Sequence, residues 1–124
     1  MGTCSVSFGT EADEICDFWE TKIKTARRIH RCGECDKDIQ PKHKYESQAY
    51  VFDGAFHHEK RCLICAEIRD AFLEEGCAYC PGDMWSEIRD YVFPEMTTIC
   101  FDRLKTPEAK DELRRRWIEW KFNR

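Results

Sequence analysis

RCGECDKDIQPKHKYESQAYVFDGAFHHEKRCLICAEIRDA, residues 31–71, holds two Cys-x-x-Cys pairs, Cys32/Cys35 and Cys62/Cys65. Two residues between paired cysteines let both sulfurs chelate one ion, and four thiolates complete a tetrahedron. The gap between the pairs is 26 residues, 36–61, and it contains Asp53-Gly54, a strong hairpin signal that brings its ends together. Tyr45 to Phe52 has strand composition. Tyr45, Ser47, Ala49 and Val51 alternate with Glu46, Gln48, Tyr50 and Phe52, and Ala55 to Glu59 forms the return strand. From Cys62 to Glu75 the pattern turns helical, with Ile64, Ile68, Ala71 and Phe72 on one stripe and Gly76 as a stop. Knuckle, hairpin, then a helix opening on the last two ligands is the order of a treble-clef zinc finger. In the knuckle, Gly33 is expected to let the turn tighten so that backbone N–H groups reach the sulfurs. A four-thiolate zinc has no open position, so this stretch is a scaffold rather than a working site.

The chain of 124 residues is of one-domain length, read as residues 1–124 with a 22–76 zinc-finger core and a 77–124 helical extension. The class expected is α+β, with the C-terminal helices packed on the finger. Nine cysteines in so short a chain point to disulfides or metal. An odd count suits a secreted disulfide framework poorly, and Met1 to Thr10 has neither an apolar stretch nor a basic start. A reducing, cytoplasmic setting with bound Zn2+ and no membrane span is the expectation.

Before the knuckle, Ile15, Phe18 and Trp19 fall at i, i+3 and i+4, which suggests a short helix over 11–20. Residues 22–31 fit an extended strand feeding into the first Cys pair, with a helix as the alternative. After Gly76, Asp83 is expected to cap a helix running to Phe93, stopped by Pro94, with Met84, Trp85, Ile88, Tyr91 and Val92 inside it. Residues 95–105 are a connection. Thr106-Pro107-Glu108 starts a last helix to about Phe122, with Ala109, Leu113, Trp117 and Trp120 on one stripe. The tryptophans read as core, although the stripe on the last helix would also serve a partner.

A third pair, Cys77/Cys80, is the seed of a second zinc site, to be completed from Cys4, Cys16 and Cys100 or from His57 or His58. Buried cysteines that only pack are the competing reading. A redox role needs a helix N-terminus at the cysteine, and the next helix begins only after Pro81-Gly82.

Charge is uneven. Lys22 to Lys44 carries eight basic residues against three acids, a local +5; with −4 for the whole chain, the remainder carries −9. Arg27, Arg28, Arg31, Lys42 and Lys44 are candidate nucleic-acid contacts, with Arg114-Arg115-Arg116 as a second cluster. The acidic total argues for a protein partner instead, and the basic run also offsets the −2 of a tetrathiolate zinc site. A nuclease of the His-Asn-His kind would use His57 or His58 as a base and a metal-binding His on the following helix. That helix has neither His nor Asn, only Glu67 and Asp70, so no catalytic residue is assigned.

The run from Lys24 to Cys35, then Ile39-Gln-Pro41, Lys44-Tyr-Glu46, Asp53-Gly54 and Lys60-Arg-Cys62-Leu-Ile-Cys65, resembles small zinc-finger proteins of tailed bacteriophages and prophages. Trp85-Ser-Glu-Ile-Arg-Asp90 and Leu104-Lys-Thr-Pro-Glu-Ala-Lys110 extend the resemblance over most of the chain from Lys24. It implies a protein of the infected bacterium's cytoplasm that binds a host macromolecule, a protein before a nucleic acid. Inhibition of a host defence or nucleic-acid-processing complex is one form this takes. Members of that group often carry Gly after the Pro41 position, where this chain has Lys42.

Overall fold

A computed structural model of the chain describes residues 17–52, 54–73 and 82–123. The elements are β1 (Asp17–Thr25), β2 (His30–Arg31), β3 (Asp38–Ile39), β4 (Lys44–Phe52), β5 (Ala55–Cys62), α1 (Leu63–Phe72), α2 (Met84–Glu87) and α3 (Pro107–Asn123). β1, β4 and β5 form an antiparallel sheet with β4 in the centre, and β2–β3 form a two-stranded ribbon. The fold is therefore a mixture of helix and sheet. No helix among the described residues is long and apolar enough to cross a membrane.

The helix expected over 11–20 is corrected from Asp17 onward; its earlier part lies outside the described residues. Residues 17–25 are strand because β4 offers them a partner from Asp17↔Val51 to Thr25↔Lys44, with a bulge between Phe18 and Glu20. Local helical spacing loses to a ladder of backbone bonds. The return strand is longer than expected, running through Cys62, and the register closes at Phe52 opposite Ala55. Gly54 holds the left-handed φ of 76° that this two-residue turn demands.

A central strand is covered on both faces, and this explains an oddity of β4. Glu46 and Gln48 are buried along with Tyr45, Ala49 and Tyr50. Their partner is Arg61 on β5, which stands opposite Glu46 and is 1% exposed. Arg61 Nη1 donates to Glu46 Oε1 at 2.6 Å and to Gln48 Oε1 at 3.0 Å. Its Nε and Nη2 donate to Glu34 Oε2 at 3.1 and 2.7 Å. Arg69 from α1 closes on Glu46 from the other side.

The turn at residues 40–43 is of type II. His43 N–H donates to Gln40 carbonyl at 3.1 Å, and Pro41 takes the first central position. Lys42 takes the second, with a φ of 72°. The glycine-favouring conformation is thus retained although the residue is lysine. Lys42→Gly is expected to stabilise the protein by roughly 1 kcal/mol, the usual cost of a left-handed non-glycine less glycine's added entropy loss. A thermal melt of the metal-loaded variant checks this; a lower midpoint would show that the Lys42 stem packs more than its backbone strains.

The second helix departs furthest from expectation. Only Met84–Glu87 is α-helical; Ile88–Val92 forms a π turn and Phe93–Glu95 a 3-10 turn that contains Pro94. Pro94 has no N–H for the carbonyl of residue 90, so the ladder widens and then tightens instead of stopping cleanly. Asp83 makes no side-chain cap. Glu34 of the knuckle does so instead, its Oε1 accepting from Gly82 N at 3.0 Å and Met84 N at 3.2 Å. The connection at 95–105 contains a 3-10 turn, Thr98–Arg103.

α3 starts where its cap places it, with Thr106 Oγ1 accepting from Ala109 N at 3.2 Å. Glu67 of α1 fastens this start by accepting from Lys105 N, Thr106 N and the Thr106 hydroxyl. Ala109, Leu113 and Trp117 are buried, and Trp120 is partly buried against Phe93. Glu112 is buried too, bonded to Lys37 of the knuckle at 2.5 Å and to Arg115 and Arg116 at 2.6 Å each. Burial opposes ionisation of Glu112, but these three cations win and hold its carboxyl down to about 2. One cluster of buried residues runs from Cys32 and Cys65 through Ile68, Phe72, Met84 and Trp85 to Leu113 and Trp117. The knuckle and the last helix thus share a core.

Candidate metal centre

The knuckle is the β2–β3 ribbon. His30 pairs with Ile39 and Arg31 with Asp38, and the chain turns through Cys32 to Cys35 between them. The left-handed residue here is Asp36, with a φ of 62°, and not Gly33. A Cβ on Gly33 would lie 2.1 Å from the Glu59 carboxylate, so that side chain would have to swing aside. Cys62 ends β5 and caps α1, its sulfur accepting from Cys65 N at 3.4 Å. The β4–β5 hairpin returns this helix start to the knuckle, where Gly33 N donates to the Lys60 carbonyl at 2.8 Å.

Cys32, Cys35, Cys62 and Cys65 meet there, with all four sulfurs within 4.8 Å of one another. None is in a disulfide; Cys32 and Cys65 are fully buried, and Cys35 and Cys62 half-buried. Among the described residues this is the one group of Cys, His, Asp or Glu side chains able to hold a metal ion. A tetrahedral ion with metal–sulfur bonds of about 2.3 Å sets its sulfurs about 3.8 Å apart. The Cys35 and Cys62 sulfurs are already at that distance, 3.8 Å, and no pair exceeds 4.8 Å.

The surroundings are built for thiolates. Cys32 Sγ accepts from Glu34 N at 3.4 Å and Cys62 N at 3.3 Å. Cys65 Sγ accepts from the Trp85 indole N–H at 3.4 Å. Left to themselves, the sulfurs compete for protons. Hydrogen bonds from Cys35, Cys62 and Cys65 pull the Cys32 thiol far down. At Cys35 the bond with Cys32 acts upward and those with Cys62 and Cys65 downward, with a result of about 7. Cys62 and Cys65 are pushed up, first by their bonds to Cys32. A bound dication would stabilise all four as thiolates and release the remaining protons.

No family model, characterised protein or solved structure matches this chain. The site is therefore read from its own chemistry.

Trp85 and Glu34 are the residues that motif reading misses. Trp85 follows no metal-binding pattern; its ring packs under the Arg116 guanidinium at 4.0 Å, which leaves the indole N–H aimed at Cys65. Trp85→Phe keeps the ring but removes the donor. Zn2+ affinity is expected to fall about tenfold, the lower end of the effect of losing an outer-shell partner. Competition with a chromophoric chelator at fixed pH measures it; unchanged affinity would show the bond to be idle.

Of the proposed second-site residues, Cys4, Cys16, Cys77 and Cys80 lie outside the described residues. Cys100 is buried, 3.8 Å from the Thr97 hydroxyl, and disulfide-bonded, so its sulfur is not free to ligate and it is withdrawn from the second site. His57 and His58 are exposed on β5, an edge strand of the described sheet. His57 stacks on Tyr50 and His58 meets Phe56 edge-on.

The two basic clusters part company. Arg114, Arg115 and Arg116 are taken up by Asp111, Glu112 and Glu119. Arg27, Arg28, Arg31, Lys42 and Lys44 are all exposed, and no ion pair joins any of them to another described residue. Arg27 and Arg28 line one cleft with Lys24, Thr25, His30 and Tyr45. Arg31 is not part of its lining and stands opposite Asp38 in the ribbon.

Proposed function

We propose that this chain is a non-enzymatic binding module folded around one structural zinc ion. The arrangement is read as a treble clef, with the knuckle, the β4–β5 hairpin and α1 in order and the later helices added. In line with the resemblance to small phage proteins, it acts in the cytoplasm of an infected bacterium by engaging a host macromolecule. The observation that carries this reading is the closed donor set. Four sulfurs complete a tetrahedron, two of them fully buried, and backbone and indole N–H groups occupy the space around them. All-sulfur tetrahedral sites select zinc or iron, and zinc is the ion of structural sites of this kind. Such an ion has no position for substrate. Glu67, a substitute ligand for a nuclease, is engaged with the start of α3.

A host protein as partner is favoured by the outer face of α3, where Ile118 and Phe122, one turn apart, are 43% and 82% exposed. Elemental analysis should give zinc, not iron, at one ion per chain; two would bring cysteines outside the described residues into a second site. The zinc-loaded chain, used as bait in host lysate, should retain a protein through a high-salt wash. Ile118→Glu with Phe122→Glu should release it. Cleavage of single- or double-stranded DNA or RNA by the chain in added Mg2+ or Mn2+ would overturn the non-enzymatic reading.

A further inference from the structure

We infer that the cleft between the end of β1, the Arg27-Arg28 bend and the start of β4 binds the phosphodiester backbone of a nucleic acid. This deepens the reading of the chain as a binding module and rests on it. The backbone builds the cleft. Lys24 stands opposite Tyr45 and Thr25 opposite Lys44. Ala26 N donates to His43 carbonyl and Lys42 N to Ala26 carbonyl, both at 2.8 Å, which folds the Pro41-Lys42 turn against the bend. Lys42 and Lys44 are thereby brought beside Ala26 and Thr25, next to the cleft that Lys24, Arg27 and Arg28 line.

Two observations point to an anion. The lining contains Lys24, Arg27 and Arg28 and no acidic side chain. Among the described residues these cations, with Lys42 and Lys44, make no ion pair, whereas Lys37, Arg61, Arg69 and Arg114 to Arg116 all do. Lys60, Arg103, Lys105, Lys110 and Lys121 are also without an ion pair to a described residue, but none of them lines this cleft; here three such cations share one concavity with no acid, which suits an external anion.

The form of the cleft favours a chain of phosphates over a single one. Its lining cations come from two places, Lys24 at the end of β1 and Arg27 and Arg28 on the bend, with the backbone of the turn and of β4 adjoining. The Thr25 hydroxyl offers a neutral donor, and the His30 ring, tilted on Tyr45 at 5.2 Å, gives a flat wall beside the cations. Such walls suit bases or sugars next to a tracked backbone.

The test is fluorescence anisotropy of the zinc-loaded full chain with labelled single-stranded DNA, single-stranded RNA and duplex DNA over a range of salt. At least one probe should bind, with log K falling linearly in log salt. Arg27→Ser with Arg28→Ser should weaken binding at least tenfold and lower the salt slope by roughly two, about one for each phosphate no longer neutralised. Arg89→Ser with Arg114→Ser removes the same charge from exposed sites elsewhere and should leave both nearly unchanged. Circular dichroism confirms that each variant is folded. Equal losses from the two double variants, or no binding by the folded zinc-loaded chain, overturns the assignment. Release of an acidic host protein by the Arg27/Arg28 variant, with no oligonucleotide bound, overturns it in favour of a protein partner. Cleavage of a bound probe would instead sink the non-enzymatic reading and leave the cleft standing.

Discussion

Stripped of its metal, the chain is expected to lose its cooperative melt. Apparent zinc binding in small fingers contributes on the order of 10–16 kcal/mol at neutral pH. Ordinary domains have a net stability of about 5–15 kcal/mol, so the ion here is comparable to the whole margin. The connectivity makes the loss general. Cys62 is at once the end of β5, a sulfur of the cage and the cap of α1. Cys32 and Cys65 belong to the buried cluster that reaches Leu113 and Trp117 on α3. Without the ion the four thiols are left crowded, with Cys62 and Cys65 held protonated beside Cys32. Chelation, or Cys62→Ser, should abolish the sharp transition in circular dichroism and broaden the amide spectrum throughout. Zn2+ added back should restore the wild type far more fully than the variant. A chelated sample that kept its helix signal and a cooperative melt would show that packing alone holds the fold.

Arg61→Met is expected to cost about 3–5 kcal/mol, which is roughly 10–20 °C in the midpoint of a domain this size. Arg61 is 1% exposed and bridges Glu34 and Glu46, themselves buried. Removing the cation leaves two carboxylates short of a partner away from water, and that penalty, more than the lost attraction, is the effect. The damage should be graded. Glu46 keeps Arg69, and Glu34 keeps the N–H groups of Gly82 and Met84. Adding Glu34→Gln to Arg61→Met should therefore recover part of the loss, since the amide oxygen can still cap α2 without a buried charge. Acid should act in the same direction as the mutation. Burial raises the Glu46 carboxyl, but the Arg69 bonds and the Arg69 and Arg61 charges outweigh it and hold it below its ordinary range. Its contribution is therefore complete above the unfolded carboxylate value of about 4.3 and is lost as pH falls through the lower folded value. Urea titrations of the zinc-loaded proteins at neutral and acid pH measure both effects. Wild-type stability in Arg61→Met would show that the network contributes nothing net.

The four-cysteine cluster was legible in the chain because its determinants are short-range. Two residues between Cys32 and Cys35 set both sulfurs on one side of a turn, and the same spacing at Cys62 and Cys65 sets them on the first turn of a helix. A glycine turn between two strands then needs only the right register to close the gap. The start of α3 was equally readable, since a capping threonine followed by proline acts within four residues. The stretch before Asp17 and the Cys77/Cys80 pair lie outside the described residues, so the structure does not bear on them.

Other features could not be read because their cause lies in a residue far along the chain. Helical spacing at Phe18 and Trp19 says nothing about β4, whose unpaired edge turned residues 17–25 into strand. Asp83 had the sequence of a cap, yet Glu34 took the position from 48 to 50 residues away. Nothing in the spacing of Arg61 marks it for burial; β5 placed it opposite Glu46.

The sequence by itself determined that four cysteines at this spacing would form a thiolate cage, that a hairpin would connect its halves and that a capped helix would close the chain. These follow from covalent reach and local backbone geometry. Only the tertiary structure decided which charges remain for use. Arg114 to Arg116 and Arg27-Arg28 are alike as strings, but Glu112 and its neighbours neutralise the first group, and no described acid reaches the second. Whether a charge is satisfied depends on what the fold brings within about 4 Å of it, and residue spacing does not carry that distance.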